Sequence, residues 1–111
     1  MSADYIPFSE HLVRYQDGDE EREVVVIFEF GLDQDFAVDG DAILTLRTGR
    51  ARFDLLGETH AVRASGEDHV QLVHRLMNIC GSEILRAAED LDLDVYQYEP
   101  GDAKAPFDLF K

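Results

Sequence analysis

Residues 22–30, Arg-Glu-Val-Val-Val-Ile-Phe-Glu-Phe, alternate in a way that leaves the chain little choice. Successive side chains of an extended segment point to opposite sides. Val24, Val26, Phe28 and Phe30 therefore fall on one face, and Glu23, Val25, Ile27 and Glu29 on the other. A strand with one such apolar face belongs in a sheet covered on one side. Residues 8–16 supply a first strand, and the acidic stretch at 17–21 supplies the turn between the two.

Two further apolar runs, 42–47 and 50–56, flank Thr48 and Gly49. A two-residue hairpin there predicts Leu46 opposite Ala51, Leu44 opposite Phe53 and Ala42 opposite Leu55. Carried across a Gly57–Glu58 turn, the same register sets His60, Val62 and Ala64 beside Leu55, Phe53 and Ala51. A one-residue slip would move every side chain to the other face, so agreement across three strands supports the shared face. The other face of this meander gathers Arg47, Arg50, Arg52 and Arg63. Such a cluster can bind a carboxylate or phosphate, or be neutralised by Glu23 and Glu29 of a neighbouring strand, and internal neutralisation is the expectation. Val25, Ile27 and Ile43 leave the same face partly apolar, which makes it a candidate contact surface.

Ser65 and Asp68 have the spacing of a capping box, which predicts a helix. Val70, Val73, Met77, Cys80, Ile84, Ala88 and Leu91 then recur at helical spacing as a stripe to lie on the sheet. Gln71, Arg75, Asn78, Ser82, Arg86 and Glu89 occupy the opposite side. Gly81 falls in mid-helix, where close packing on the sheet is expected. Residues 93–100 read as a short last strand and 101–106 as a linker, with Phe107, Leu109 and Phe110 closing the core or a homodimer edge. The expected architecture is a single α+β domain over residues 1–111: an antiparallel β-meander with one main α-helix packed on one face and a short C-terminal strand.

The segment Gly-Glu-Asp-His-Val-Gln-Leu-Val-His-Arg-Leu-Met-Asn-Ile-Cys-Gly-Ser-Glu-Ile, residues 66–84, resembles the hallmark of a family of short bacterial proteins of unknown function. In that family a strand rich in arginine and aromatics leads to GxDxVQxL and then to a helix ending IGxEL. Gly66, Asp68, Val70, Gln71, Gly81 and Glu83 match in position, while Cys80 replaces an aliphatic residue and Ile84 the leucine. The resemblance covers residues 50–84 and has no counterpart in the acidic first 40. It implies a bacterial origin and a meander followed by a helix, and no chemistry.

Charge narrows the partners. Asp and Glu total 24 against 10 Lys and Arg, for a formal charge of -14 and a pI near 4.4. Such a surface disfavours direct contact with nucleic acid or an anionic membrane, speeds encounter with basic partners and can imitate a polyphosphate. The single cysteine, Cys80, excludes a disulfide within the chain and any CxxC chemistry. With no apolar run long enough for a bilayer and no secretory pattern at residues 1–12, a cytoplasmic protein is expected.

Catalytic and metal-binding patterns are not matched. Residues 31–41 hold four aspartates, yet with Asp35 as the first position of a calcium loop, Ala37 and Leu46 fall where ligands are required. A strand connection turning at Asp39 and Gly40 is the better reading. The histidines, His11, His60, His69 and His74, form no i, i+4 pair, and His60 falls on the apolar face. Cys80 lies between Met77 and Ile84, in surroundings that leave a thiol inert. No enzyme, no cofactor and no metal are expected.

The expectation is a binding protein that masks a basic surface of a partner. The partner would be a nuclease-type toxin met by an immunity protein, or a nucleic-acid-binding defence enzyme blocked by a nucleic-acid mimic. Its contact residues are Asp17, Asp19, Glu20, Glu21, Asp33, Asp35, Asp39 and Asp41. A homodimer-forming structural domain, using the arginine and aliphatic face of the sheet, is the alternative.

Overall fold

A computed structural model describes residues 5–40, 42–99 and 103–107. The chain runs β1 (Ile6–Asp17), β2 (Glu20–Phe30), β3 (Gln34–Ala37), β4 (Ile43–Leu55), β5 (Glu58–Gly66), α1 (His69–Asp90), β6 (Asp94–Glu99) and β7 (Ala103–Pro106). The seven strands form one curled antiparallel sheet, with order β3-β4-β2-β1-β6-β7 and β5 on the remaining edge of β4. This is the expected α+β meander with a helix on one face. Residues 103–106, expected to be a linker, instead pair with β6 as a short edge strand.

The alternation of β2 holds as read. Val24, Val26 and Phe28 are buried with Val13 and Tyr15 of β1 and Ala51, Phe53 and Leu55 of β4. Gly18, at φ 61, opens the two-residue turn from Asp17 to Glu20 in a conformation that glycine adopts without strain.

Thr48 and Gly49 do not turn the chain. β4 passes straight through them, and the predicted pairing of Leu46 with Ala51 is replaced by pairing to other strands on both edges. The physical reason lies in the helix: a Cβ built on Gly49 would sit 3.3 Å from both Leu72 Cδ1 and Leu76 Cδ2, so this glycine admits the helix to the sheet. The partner of the first half of β4 is β3, which continues the line of β2 after an extra residue at 31–33.

The turn after β4 is Leu56–Gly57 and not Gly57–Glu58. Phe53 therefore opposes His60 and Ala51 opposes Val62, two residues away from the predicted register but on the same face. Both turn residues have positive φ, 49° for Leu56 and 84° for Gly57, the conformation of a type I′ hairpin. Leu56 is exposed and gains little there, whereas asparagine tolerates the left-handed region. Leu56→Asn is expected to stabilise the protein by about 1 kcal/mol, read as a rise in thermal midpoint.

The helix begins at Asp68, not Ser65. Asp68 Oδ1 accepts from Gln71 N at 2.8 Å, and Gln71 Oε1 accepts from Glu67 N at 2.8 Å, so the reciprocal cap uses Asp68 and Gln71. The helix runs unbroken through Gly81. Its buried stripe is Leu72, Leu76, Cys80, Ile84, Ala87 and Ala88, and each fully buried leucine or isoleucine in it contributes about 1.5–3 kcal/mol. Val70, expected on that stripe, is 81% exposed, and Val73 and Met77 are only partly covered. The curl of the sheet explains the rotation. The helix lies against β4, β5 and β6, while the backbones of β1 and β2 stand away from it and their side chains fill only part of the gap. Phe107 joins the core as expected, whereas Leu109 and Phe110 lie outside the described residues.

Candidate functional site

The face of the sheet away from the helix is organised by one buried carboxylate. Glu29, 4% exposed, accepts on Oε1 from Arg50 Nη2 at 2.8 Å, Arg50 Nε at 2.9 Å and Arg52 Nε at 3.1 Å. The guanidinium carbon of Arg50 lies 3.9 Å from the centre of the Tyr5 ring, and Arg63 Nε donates to the Tyr5 hydroxyl at 3.2 Å. A charge inside a sheet face is tolerated only when paired and hydrogen-bonded, and Glu29 has both. Neutralisation within the chain is thus the state of Arg50 and Arg52. Glu23 pairs with Arg14, at 3.6 Å, and not with the cluster. Arg47 also leaves it: in an unbroken strand it shares the side of Gly49, Ala51 and Phe53, and there it pairs with Asp33.

The eight expected contact carboxylates divide between two places. Asp17, Asp19, Glu20 and Glu21 surround the β1–β2 turn. Asp33, Asp35 and Asp39 lie along the β3–β4 ribbon and its tip, and Asp41 lies outside the described residues. Since β3 continues the line of β2, the two groups stand at opposite ends of one ribbon, with their facing members about 40 Å apart at about 3.3 Å per residue and their tips farther still. The ribbon therefore runs along the long dimension of a molecule measuring 60 × 32 × 22 Å.

Most of these acids already have partners. Arg22 holds Asp17 at 3.3 Å and Glu20 at 2.8 Å, Arg47 holds Asp33, Thr45 donates to Asp35 at 2.6 Å, and the Tyr96 hydroxyl donates to Glu21. Asp19 and Asp39, at the two tips, are without a partner among the described residues. Gly40, at φ 72, forms the turn with Asp39, and Val38 N donates to Ala42 O across it, as a strand connection requires.

A second cluster joins the sheet to the helix. His60 stacks on Phe53 with centroids 4.9 Å apart, and its Nδ1 stands 3.5 Å from Glu83 Oε2. Glu83 is also gripped by Arg86 through two hydrogen bonds of 2.7 Å. The Arg86 hydrogen bond is the chief reason the Glu83 carboxyl is held below its ordinary range, with smaller support from the charge of Arg86 and from His60. A cavity of about 350 Å³ beside this cluster is lined by Val62, Asn78, Ile79, Ser82, Glu83 and Arg86. Burial, with the nearby Glu83 carboxylate adding to it, pushes the Cys80 thiol up to about 12. Its reactive thiolate is therefore scarce at neutral pH. Cys80 is expected to resist a disulfide reagent in the folded protein and to react stoichiometrically once denaturant is added, which an absorbance assay at pH 8 checks.

A third feature was not anticipated. Between α1 and β1–β2 the core is incompletely filled, leaving a cleft of about 140 Å³ lined by Phe8, Ser9, His11, Phe28, Val73 and Met77. It continues along the helix past His69, Val70 and His74. Phe8 stacks on Phe30 at 4.0 Å, and Phe30 meets His69 at 5.0 Å, so the end of the groove is aromatic. The signal was present in Val70, Val73 and Met77, but their helical spacing reads equally well as a core stripe.

Fold and surface together define a small, acidic α+β protein, elongated, with eight of its 24 acids assigned to two hairpin ends and the rest distributed over the other strands, the helix and their connections, and with an apolar groove beside the helix. No protein-family model, curated protein or solved structure matches the chain.

Proposed function

We propose that the protein is a non-enzymatic binding protein that masks a basic surface of a partner protein. The kind intended is an immunity protein facing a toxin, or an inhibitor of a nucleic-acid-processing defence enzyme that imitates nucleic acid. The observation that carries this reading is the charge left over once the chain's own cations are paired. Arg14, Arg22, Arg47, Arg50, Arg52 and Arg86 are each engaged by carboxylates of the same chain; Asp17, Glu20 and Asp33 of the contact set are among those matched, which counts against the reading. What supports it is the remaining excess of a -14 molecule, with Asp19 and Asp39 at the two tips without a partner among the described residues. Like charges confined at each end of a narrow molecule repel one another within the roughly 8 Å screening length of physiological salt. Docking on a cationic surface relieves that repulsion.

Two acidic ends so far apart suit a long basic channel better than a single basic pocket. The reading places the protein in the cytoplasm and gives it no cofactor, no membrane and no nucleic acid as direct ligand. No helix among the described residues is long and apolar enough to cross a membrane.

The test is affinity capture from cell extract at about 50 and 300 mM salt, followed by titration of the recovered partner. Two amide variants accompany it, one at Asp17, Asp19, Glu20 and Glu21 and one at Asp33, Asp35, Asp39 and Asp41. A basic partner lost at the higher salt and weakened by each variant is the expected result. Binding unchanged by salt and by both variants overturns the reading.

A further inference from the structure

β5 is an edge strand, and among the described residues no strand pairs with its outer side. Register decides which of its residues face that side. Gly31 N donates to Thr48 O at 2.8 Å, so the backbone of Thr48 points away from β5. Thr48 is the partner of Ser65, and in an antiparallel pair the N–H and C=O of one residue point the same way. Ser65 therefore points outward too, and Arg75 Nη1 on the helix donates to its carbonyl at 3.0 Å. The unbroken register carries this direction to Arg63, Ala61 and Thr59, whose N–H and C=O groups are open to an added strand.

Exposed edges are usually blunted, and this one is not. β3 and β7 are four residues long and β7 ends in Pro106, whereas β5 pairs over nine residues without a bulge, a proline or a lysine. Exposure alternates along it: Thr59, Ala61 and Arg63 are exposed, and His60, Val62 and Ala64 turn toward the helix. The two sides offer different chemistry to a strand laid beside them. On the helix side lies the cavity of about 350 Å³ between Val62 and α1, where Ile79, 43% exposed, and Ser82 stand across from the edge. On the other side Arg63 donates Nε to the Tyr5 hydroxyl and stands directly opposite Arg50. Like charges so placed are destabilising. Glu29 is engaged by Arg50 and Arg52, and no carboxylate among the described residues lies within ion-pair distance of Arg63. Its natural counterion is a carboxylate from outside the chain.

We infer that the open edge of β5 binds an extended segment of another protein as an added strand, with an acidic residue opposite Arg63 and an aliphatic residue in the cavity beside Val62. Adjacent residues of a strand point to opposite sides, so the acid and the aliphatic residue are neighbours in the bound sequence. Main-chain hydrogen bonds supply the affinity, and the two side chains supply the selection. The β5 of a second copy does not meet this requirement. Its outer-face residues, Thr59, Ala61, Arg63 and Ser65, include no acid to set against Arg63. The edge is separate from the acidic ends used in the proposed function, and its occupancy needs no basic partner.

The test is fluorescence anisotropy of a labelled peptide, Ser-Thr-Val-Glu-Val-Thr-Ser blocked at both ends, titrated with the full chain up to about 1 mM at about 0.15 M salt. Saturable binding is expected for the wild type. Lysine in place of the glutamate weakens it about tenfold, as does Arg63→Glu in the protein, and the lysine peptide recovers the loss on the Arg63→Glu variant. Ala61→Pro abolishes binding, because the Ala61 N–H faces outward and proline there removes no bond to β4. Arg63 and Ala61 are exposed, so both variants keep the wild-type far-ultraviolet circular dichroism. Ile79→Asp weakens binding through the cavity alone, which keeps the test decisive should Ala61→Pro misfold. Absence of saturable binding overturns the inference, as does binding indifferent to Arg63→Glu and to Ile79→Asp. So does a wild-type chain that light scattering finds dimeric and that Ala61→Pro renders monomeric, since a second copy then covers the edge.

Discussion

Glu29→Ala is expected to destabilise the protein by about 3 kcal/mol, the lower end of the range for breaking a buried ion pair. The carboxylate is buried and one of its oxygens receives three N–H groups from Arg50 and Arg52. Removing it leaves two cations facing each other on adjacent turns of the pleat. Arg50, with 18% of its side chain exposed, cannot reach water without leaving the Tyr5 ring, whereas Arg52, 42% exposed, can swing outward. That asymmetry holds the expected loss to the lower end. Glu29→Gln retains an acceptor and the shape and is expected to lose about half as much. The double substitution Glu29→Leu/Arg50→Met removes both buried charges, and is expected to recover most of the stability, since apolar replacements of a buried pair are often neutral or better. Urea midpoints at constant slope measure each value. A Glu29→Ala protein within about 1 kcal/mol of the wild type would mean that solvent screens this cluster like any surface pair.

How far such features could be read in advance depends on what distance along the chain decides them. The faces of β2 were legible because alternation over nine residues is a local property. The role of Glu29 followed from it, since the residue falls opposite Phe28 and Phe30 and beside the arginines of β4. Gly49 was misread because glycine marks both a turn and a close approach, and what distinguishes them, Leu72 and Leu76, comes more than twenty residues later. The helix shows the same limit. Its apolar residues cover more than one stripe, and the curl of the sheet selects the one through Leu72 and Leu76 while leaving Val70, Val73 and Met77 to line a groove. The acid count was evident from composition, but the separation of the contact acids at 17–21 from those at 33–39 follows from the extra residue at 31–33 that lets β3 extend β2. Which carboxylates are matched internally is a question of register, and the hairpin register was displaced by the Leu56–Gly57 turn.

Gly66→Ala is expected to be the most damaging single methyl group in the molecule, with a loss of about 3 kcal/mol, at the upper end for overpacking. Gly66 ends β5 opposite Arg47, and the chain then enters the helix, whose first turn folds back over it. A Cβ there would stand 2.6 Å from Leu72 N, 3.0 Å from Leu72 Cα and 3.1 Å from the carbonyl carbon of Gln71. These are backbone atoms of a turn fastened on one side by the Asp68–Gln71 cap and on the other by the buried Leu72 and Leu76. No rotamer change relieves the overlap, so the helix start must lift and the cap or the leucine packing must loosen. Trimming Leu72 therefore gives no rescue: Gly66→Ala/Leu72→Ala is expected to be less stable than either single variant. Gly49→Ala behaves differently, because two of its three nearest contacts, at 3.3 Å, are the ends of leucine side chains that can move. Gly57→Ala meets no atom within 4 Å and loses only the strain of a positive φ, about 1–2 kcal/mol. Thermal midpoints of the three alanine variants should thus fall furthest for Gly66. If Gly66→Ala melted no lower than Gly57→Ala, the tight seat of the helix on β5 would not exist in solution, and the groove that the helix forms with β1 and β2 would lose its fixed wall.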